Sequence, residues 1–444
     1  MSPFVPLALP ASVAERLKLS PTLQRIVLAG TDAALTGKAE LGATLSQAGR
    51  EANVAPIDRL LCTIAARTLI RYKRRIEYSR PDVAMDHALA LLLAGPIDDT
   101  EALGRIADPT ERASVEHSLP SWLAINMVDD MGFARATATM ARMNTEPPLT
   151  LRVNSIKASR DDLLSKLAGR GFVVEPTLYS PFGVTLRSGP NIFADPLFAD
   201  GALEVQDEAS QLVAEVVAPP PGGVVVDVCA GAGGKTLAIG AALQNRGRIF
   251  ALDRHTGRLG ELRKRARRAG VHNIQALALE LGREVEHDSG HERSNEQGSG
   301  VEAHLTRVRG AAHRVLVDAP CSGLGAIRRN PEARWRVTPE SFLRLPEEQL
   351  LILNAAAQFV APGGRLIYAV CTFLKSECEA IVDNFVSQND QFTPMSVREV
   401  LGRVRATPVA DERGVALRTW DHENTMDGFF AAVLRRKPKA SLST

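Results

Sequence analysis

Two short apolar runs in this 444-residue chain each stop at a cysteine. Val315, Leu316 and Val317 lead into Asp318-Ala319-Pro320-Cys321, and Leu366, Ile367 and Tyr368 lead into Ala369-Val370-Cys371. Their length and their β-branched and aromatic content predict two buried strands. Ligands of an open parallel sheet sit outside the carboxyl ends of its strands, so two thiols and a carboxylate are expected to converge on one crevice. A thiol is mostly protonated at neutral pH, yet it is the best side-chain nucleophile for a polarised ring carbon. The competing reading is a pair of core cysteines, small hydrophobes at strand ends. Against it stands Pro320-Cys321-Ser322-Gly323, turn residues that present a side chain instead of burying it.

The segments around these residues alternate between strand and helix, the pattern of a doubly wound α/β sheet. VVVDVCAGAGGKT (224–236) reads as a buried strand, a Gly-rich turn and a helix start, and RIFALD (248–253) as the next strand, ending in an acid. A basic helix follows from Arg258 to Arg268, then a third strand, NIQALALE (273–280). From 281 to 307 the sequence turns polar and poor in large apolar residues, which predicts a flexible insertion. Its three histidines have no metal-ligand spacing, and no metal site is expected.

The Gly-rich turn resembles two motifs. A phosphate loop needs glycine five residues before Gly234-Lys235-Thr236, and that position is Cys229. The turn of a Rossmann-type sheet fits better, because an acid about 20 residues further on binds ribose hydroxyls and Asp253 stands at that interval from Gly233. A ribose-bearing cofactor is expected, and the pattern by itself does not separate NAD from S-adenosylmethionine.

Upstream, residues 1–145 are expected to form a helical domain. Apolar residues recur at helical spacing in 59–72, 85–95 and 119–132. The cluster Arg71, Lys73, Arg74, Arg75 reads as a solvated helix end, with an RNA contact as the competing reading. Residues 146–218 read as a small α+β unit, with strands near 149–154, 173–179 and 183–189, a helix near 161–172 and a second helix before 217. Pro219-Pro220-Pro221-Gly222-Gly223 then leads into a catalytic domain spanning 219–438. No apolar run reaches the roughly 20 residues of a membrane helix, and the first 18 residues show no signal-peptide pattern. A cytoplasmic monomer is expected. Five cysteines without a CxxC pair argue against a disulfide framework or a zinc ribbon. A net charge of +2 leaves nucleic-acid binding to local clusters.

A cytosine ring is one such polarised system. A cytosine ring is too electron-poor at carbon 5 to attack a methylsulfonium directly. Addition of a thiolate to carbon 6 makes carbon 5 enamine-like, and a base must later remove the carbon 5 proton so that the thiolate can leave. A carboxylate such as Asp318 is suited to hold the exocyclic amine or ring nitrogen and stabilise the adduct.

DVCAGAGGKT, ALD, DAPCSGLGAIRRNPEARW, GGRLIYAVCT and DGFFAAVLRR (427–436) resemble the successive motifs of the Sun/NOL1/NOP2 family of RNA 5-methylcytosine methyltransferases. DAPCSG followed by RRNP is the most specific of them. Nearly the whole chain is similar to members acting on bacterial small-subunit rRNA. This implies an all-α NusB-like N-terminal RNA-binding domain, a small RRM-like unit and a Rossmann-like methyltransferase domain.

The resemblance implies that Cys371 is the nucleophile and that Cys321 assists proton removal or product release. It implies that Cys229, Ala230, Gly231, Ala232, Gly233, Gly234, Lys235, Asp253 and Glu280 bind S-adenosylmethionine, with Asp318 between cofactor and base. Three positions depart from the family pattern. Gly231-Ala232 stands where Ala-Pro is usual, Val370 and Thr372 flank the nucleophile where Thr and Ser are usual, and Glu280 replaces an Asp. Arg328 and Arg329 after the catalytic loop, and Arg258 and Lys264 on the basic helix, are expected to contact RNA phosphates. Trp335 is expected either to stack a base or to pack the loop. Other readings are a tRNA substrate, a non-catalytic RNA-binding assembly factor, and a dehydrogenase, for which no hydride-transfer constellation is visible.

Overall fold

The computed structural model describes residues 7–81, 83–279, 281, 306–420 and 425–439. Glu280 and nearly all of the expected insertion at 281–307 lie outside the described residues. Two compact units emerge: one of residues 1–146 with 327–341, the other of residues 147–326 with 342–444. The segment 327–341, assigned to the catalytic domain by sequence order, therefore belongs with the helical unit.

That unit is built on the helix Pro56–Ser79, whose Cys62, Ala65, Ala66, Leu69 and Ile70 are buried. They pack with Leu23, Ile26 and Val27 of the helix Pro21–Leu35 and with Leu89 and Leu92 of the helix Met85–Ala94. The basic cluster is no solvated helix end. Arg71 and Arg75 lie one turn apart on the buried side of the long helix, where Arg75 donates to both carboxylate oxygens of Asp99 at 2.6 and 2.7 Å and Arg71 pairs with Glu146. Lys73 pairs with Glu77 at 2.7 Å across a helical turn.

In the second unit, strands β1 (Leu149–Val153), β2 (Val173–Pro176), β3 (Gly183–Ser188) and β4 (Leu203–Val205) form an antiparallel sheet in the order β2-β3-β1-β4. The helix Arg160–Gly169 covers it with Leu163 and Leu167.

Strands β5 (Val224–Val228), β6 (Arg248–Asp253), β7 (Ile274–Ala278), β8 (Ala312–Asp318), β9 (Val360–Val370), β10 (Phe392–Met395), β11 (Leu417–Thr419) and β12 (Phe429–Arg436) form the large sheet. Its order is β10-β12-β9-β8-β5-β6-β7, with β11 beside β12. Strands β5 to β9 run parallel and β12 antiparallel to β9, so the sheet is mixed. Val226, Val228, Val315, Val317, Leu366 and Tyr368 face one core, and Val225, Ile249, Leu316, Ile367 and Ala369 face the other. Cover on both faces explains why these strands are continuous apolar runs with no polar alternation. Because β5, β6, β8 and β9 are parallel, Val228, Asp253, Asp318 and Val370 all end on one side of the sheet. Among the described residues, no helix is long and apolar enough to cross a membrane.

Candidate active site

A cleft of about 670 Å³ opens at those strand ends. Cys229 to Ala232, Gly234, Lys235, Asp253, Asp318, Cys321 and Cys371 line it, as do Gln206, Asp207 and Ser210 from the segment that precedes β5.

The Gly-rich turn gets its shape from left-handed backbone. Cys229, Gly231 and Gly233 have φ of 61°, 56° and 85°. At Gly233 a Cβ would stand 2.5 Å from Leu262 Cγ, so a side chain here would push the basic helix (Thr256–Ala269) away. The turn opens the helix Gly234–Ala242, whose N-terminal dipole favours an anionic group in the cleft. Asp253 is 6% exposed, and its carboxylate accepts from the backbone N–H of Gly231 at 2.8 Å and of His255 at 2.7 Å. Burial pushes the Cys229 thiol up to about 12, which makes it a poor nucleophile.

Register brings the catalytic candidates together. Asp318 pairs with Ala369, and the Ala319 N–H donates to the Ala369 carbonyl at 2.9 Å. The loop beyond Cys321 then folds back, so that Gly325 N–H donates to the Cys371 carbonyl at 3.0 Å. The two sulfurs consequently stand 3.3 Å apart, and both cysteines are free thiols. Cys321 is held well above the ordinary thiol range, first by its hydrogen bond with Cys371 and next by burial. Lys235 Nζ donates to Asp318 Oδ2 at 2.7 Å. Burial pulls the lysine down, but Asp318, with smaller help from Cys371 and Asp227, leaves it above the usual value.

A family model described as 16S rRNA methyltransferase RsmB/F matches residues 214–435. A protein from Bacillus subtilis named probable ribosomal RNA small subunit methyltransferase B is 34% identical over 334 residues, 75% of this chain and 69% of that one. The chain belongs to the RsmB/F methyltransferase family. A second model, for a ferredoxin-like domain of RsmF/B-like methyltransferases, matches residues 119–192, which include β1, β2 and β3 of the antiparallel sheet. The RsmB/F fold recurs in the crystal structure of PH0851, at a TM-score of 0.74 and 22% identity over 94% of this chain and 99% of that one. It recurs also in NSun6 from Pyrococcus horikoshii with SFG, at a TM-score of 0.60 and 18% identity over 72% and 99%.

The cofactor of this RsmB/F methyltransferase is S-adenosylmethionine, and the residues fit it. Asp253 has no cation against it in the interactions above, so its remaining lone pairs are available to ribose hydroxyls. Leu279 and Ile352 supply apolar wall for a purine, and the helix end at Gly234 suits a carboxylate. Among the described residues, no group of His, Cys, Asp and Glu could hold a metal ion.

The structure gathers Cys229, Ala230, Gly231, Ala232, Gly234, Lys235, Asp253, Asp318, Cys321 and Cys371 around one cleft, with Gly233 behind the turn. It separates the arginines. Arg328 is fully buried, so the phosphate contact expected there has no surface to act from. Its carbonyl accepts from Arg71 at 3.1 Å, and that of the partly buried Arg329 from Arg67 at 3.3 Å. Trp335 packs into the helical unit and donates Nε1–H to the Ile70 carbonyl at 2.8 Å, which removes base stacking from its uses. On the basic helix Arg258 and Lys264 are exposed. Arg265 and Arg268 instead bind the buried Glu204 at 2.9 and 2.6 Å, and Arg265 also donates to the Ala232 carbonyl at 2.8 Å.

Sequence reasoning missed Gln206, Asp207 and Ser210 as cleft residues. It also missed Glu377, which ties the two cysteine loops together. The missed signal was a Gln-Asp pair at a helix cap, since Asp207 caps the helix Glu208–Val217 through Ala209 N–H at 2.9 Å.

Proposed function

We propose that this enzyme methylates carbon 5 of cytosine in RNA, with small-subunit rRNA as substrate, through a covalent adduct between Cys371 and the base. The observation that carries the reading is the pair of sulfurs 3.3 Å apart, on the cleft that also holds Asp318 and Asp253. A lone nucleophile needs no second thiol beside it. An adduct that must be formed and then resolved gives both thiols work.

The Cys371 thiolate adds to carbon 6, and the electrons of the 5,6 double bond move to carbon 5. When bound, S-adenosylmethionine supplies an electrophilic methyl group. Asp318, held by Lys235, accepts a hydrogen bond from the exocyclic amine and so orients the base for attack. Once Cys371 is bonded to the ring, Cys321 gives up its own proton to solvent and its thiolate takes the carbon 5 proton. The double bond then re-forms and the Cys371 thiolate departs. A base within a duplex would have to be extruded to reach the sulfur. Exposed Arg258 and Lys264 contact RNA phosphates, and the helical unit serves as a NusB-like RNA-binding domain. The names of the relatives, which specify small-subunit rRNA, support the substrate.

The test is methyl transfer from labelled S-adenosylmethionine to unmodified small-subunit rRNA, with nucleosides identified by mass. Wild type should form 5-methylcytidine, Cys371→Ala none, and Cys321→Ala should accumulate a denaturant-resistant protein–RNA adduct. Methylation of tRNA alone would overturn the substrate. RNA binding without any methylation would overturn the chemistry in favour of an assembly factor.

A further inference from the structure

Two thiols in hydrogen-bond contact share one proton when one of them is ionised, and only the bare sulfur attacks. The surroundings of the pair are not symmetrical. Glu377 is 1% exposed, in the loop that follows β9. Its Oε2 accepts from the Ser322 N–H at 2.8 Å and from Gln349 Nε2 at 2.9 Å, and its Oε1 accepts from Thr372 Oγ1 at 3.3 Å. Ser322 follows Cys321 and Thr372 follows Cys371, and the two hydroxyls are themselves 3.0 Å apart. Gln349 also donates to the Pro320 carbonyl at 2.9 Å, and the Tyr368 hydroxyl reaches Gln349 Oε1 at 3.0 Å and the Glu377 carbonyl at 2.7 Å. Glu377 is thus the hub of a buried network joining both cysteine loops. Among the described residues, no Lys, Arg or His forms an ion pair with it, so its charge is balanced only by neutral donors.

We propose that Glu377 is the positioning residue that makes the two thiols unequal, clamping the residue after each cysteine and keeping the shared proton on Cys321. The charges on the two sides of the pair support this. The Glu377 carboxylate bears on Cys321, whose neighbour Cys371 is the other titratable group facing it. Cys371 in turn interacts with the Lys235 ammonium, which is itself paired with Asp318 at 2.7 Å. Among the described residues, Tyr368 and Cys378 are the remaining titratable groups facing Glu377, and both are driven towards their neutral forms, chiefly by burial. The Arg418–Glu379 pair lies beyond Cys378. A buried anion on the Cys321 side of the pair favours S–H on Cys321. Thr372 fits this role, since the clamp needs the side-chain hydroxyl after the nucleophile, and Thr and Ser both provide it.

The consequence for turnover rests on the two-thiol reading above, but the test does not. The full-length protein, without RNA or cofactor, is alkylated with iodoacetamide across a range of pH, and each cysteine is followed by peptide mass. In wild type Cys371 should react first and Cys321 should lag to higher pH. Glu377→Gln, which keeps the shape and removes the charge, should move the Cys321 midpoint to lower pH by about one unit and leave the Cys371 rate within about twofold. Glu377→Asp, which keeps the charge, should restore the lag. An unmoved Cys321 midpoint in the Gln variant would overturn the proposal, as would equal acceleration of both cysteines, the mark of a loosened loop. If the labelling responds as expected while no RNA is methylated, the reaction assigned above falls and the role of Glu377 stands.

Discussion

Lys235 Nζ lies 2.7 Å from Asp318 Oδ2, joining the first turn of the helix Gly234–Ala242 to the end of β8. Both side chains are largely withdrawn from water, at 11% and 29% exposure, so neither charge is well solvated without the other. Lys235→Met should therefore leave Asp318 misdirected towards the target base. Turnover in the RNA methylation assay is expected to fall about 100-fold, in the range for losing a preorganised electrostatic group. Turnover within a factor of about three of wild type would remove the pair from the reaction.

Asp253 binds through geometry that an amide cannot copy. One oxygen is taken by the Gly231 N–H and the other by the His255 N–H. Asparagine can accept only one of these bonds and turns an N–H₂ towards the other donor. Asp253→Asn should weaken S-adenosylmethionine binding by about 10-fold or more, since a lost hydrogen bond to a charged group is worth about 1.5–3 kcal/mol. Titration calorimetry with the cofactor alone reads the change, and an unaltered Kd would place the ribose elsewhere.

Asp227 gives the stability a pH dependence of known sign. Burial pushes its carboxyl up to about 7, against a partial lowering by the Thr236 hydroxyl that donates to it. The folded state thus keeps a proton that the unfolded chain releases at about 3.9. The associated stability is present in full below that lower value and is lost as pH rises through about 7. Asp227→Asn should flatten the decline of stability across this window, by up to roughly 1.4 kcal/mol per pH unit. Urea unfolding at a series of pH values measures the slope, and parallel slopes for variant and wild type would refute the assignment.

Arg334 is fully buried in the helical unit, where its guanidinium donates to the carbonyls of Arg71, His117, Ser118 and Met143 and to Asn144 Oδ1. Arg334→Met keeps much of the stem but orphans several buried acceptors. A loss of about 2–4 kcal/mol is expected, visible as a lower Tm of the helical unit. Cofactor affinity should persist, because Arg334 belongs to the helical unit while the residues that line the cleft belong to the other. A Tm within about 1 °C of wild type would contradict this account.

Arg258 and Lys264 are exposed on the basic helix, and Lys264 has only a loose partner in Glu261 at 3.7 Å. Replacing both with alanine should weaken RNA binding and lower the slope of log K against log salt by about 1.4–1.8, two phosphate contacts' worth. Filter binding across a salt series gives the slope, and an unchanged slope would move the RNA path away from this helix.

Much of the site was legible before folding. The apolar runs ending at Asp318 and Cys371 are buried strands because residues such as Val315, Leu316 and Val317 alternate between two covered faces, a local pattern that needs no tertiary information. Gly231 and Gly233 marked a Gly-rich turn, and Asp253 stood at the spacing that strand and helix lengths impose. The sequence could not tell Arg328 from Arg258. Both are single cations in basic runs, and only the path of 327–341 into the helical unit buries one while the other stays exposed. The same holds for Arg71 and Arg75, whose partners Glu146 and Asp99 lie 75 and 24 residues away. Glu377 was invisible for that reason too: its ligands, Ser322 and Gln349, lie 55 and 28 residues before it. Hydrophobic period and backbone freedom are written locally, and so the sequence by itself determined the strands, the turn and the cysteines. The pairing of buried charge depends on which distant segments meet, and only the tertiary structure decided it.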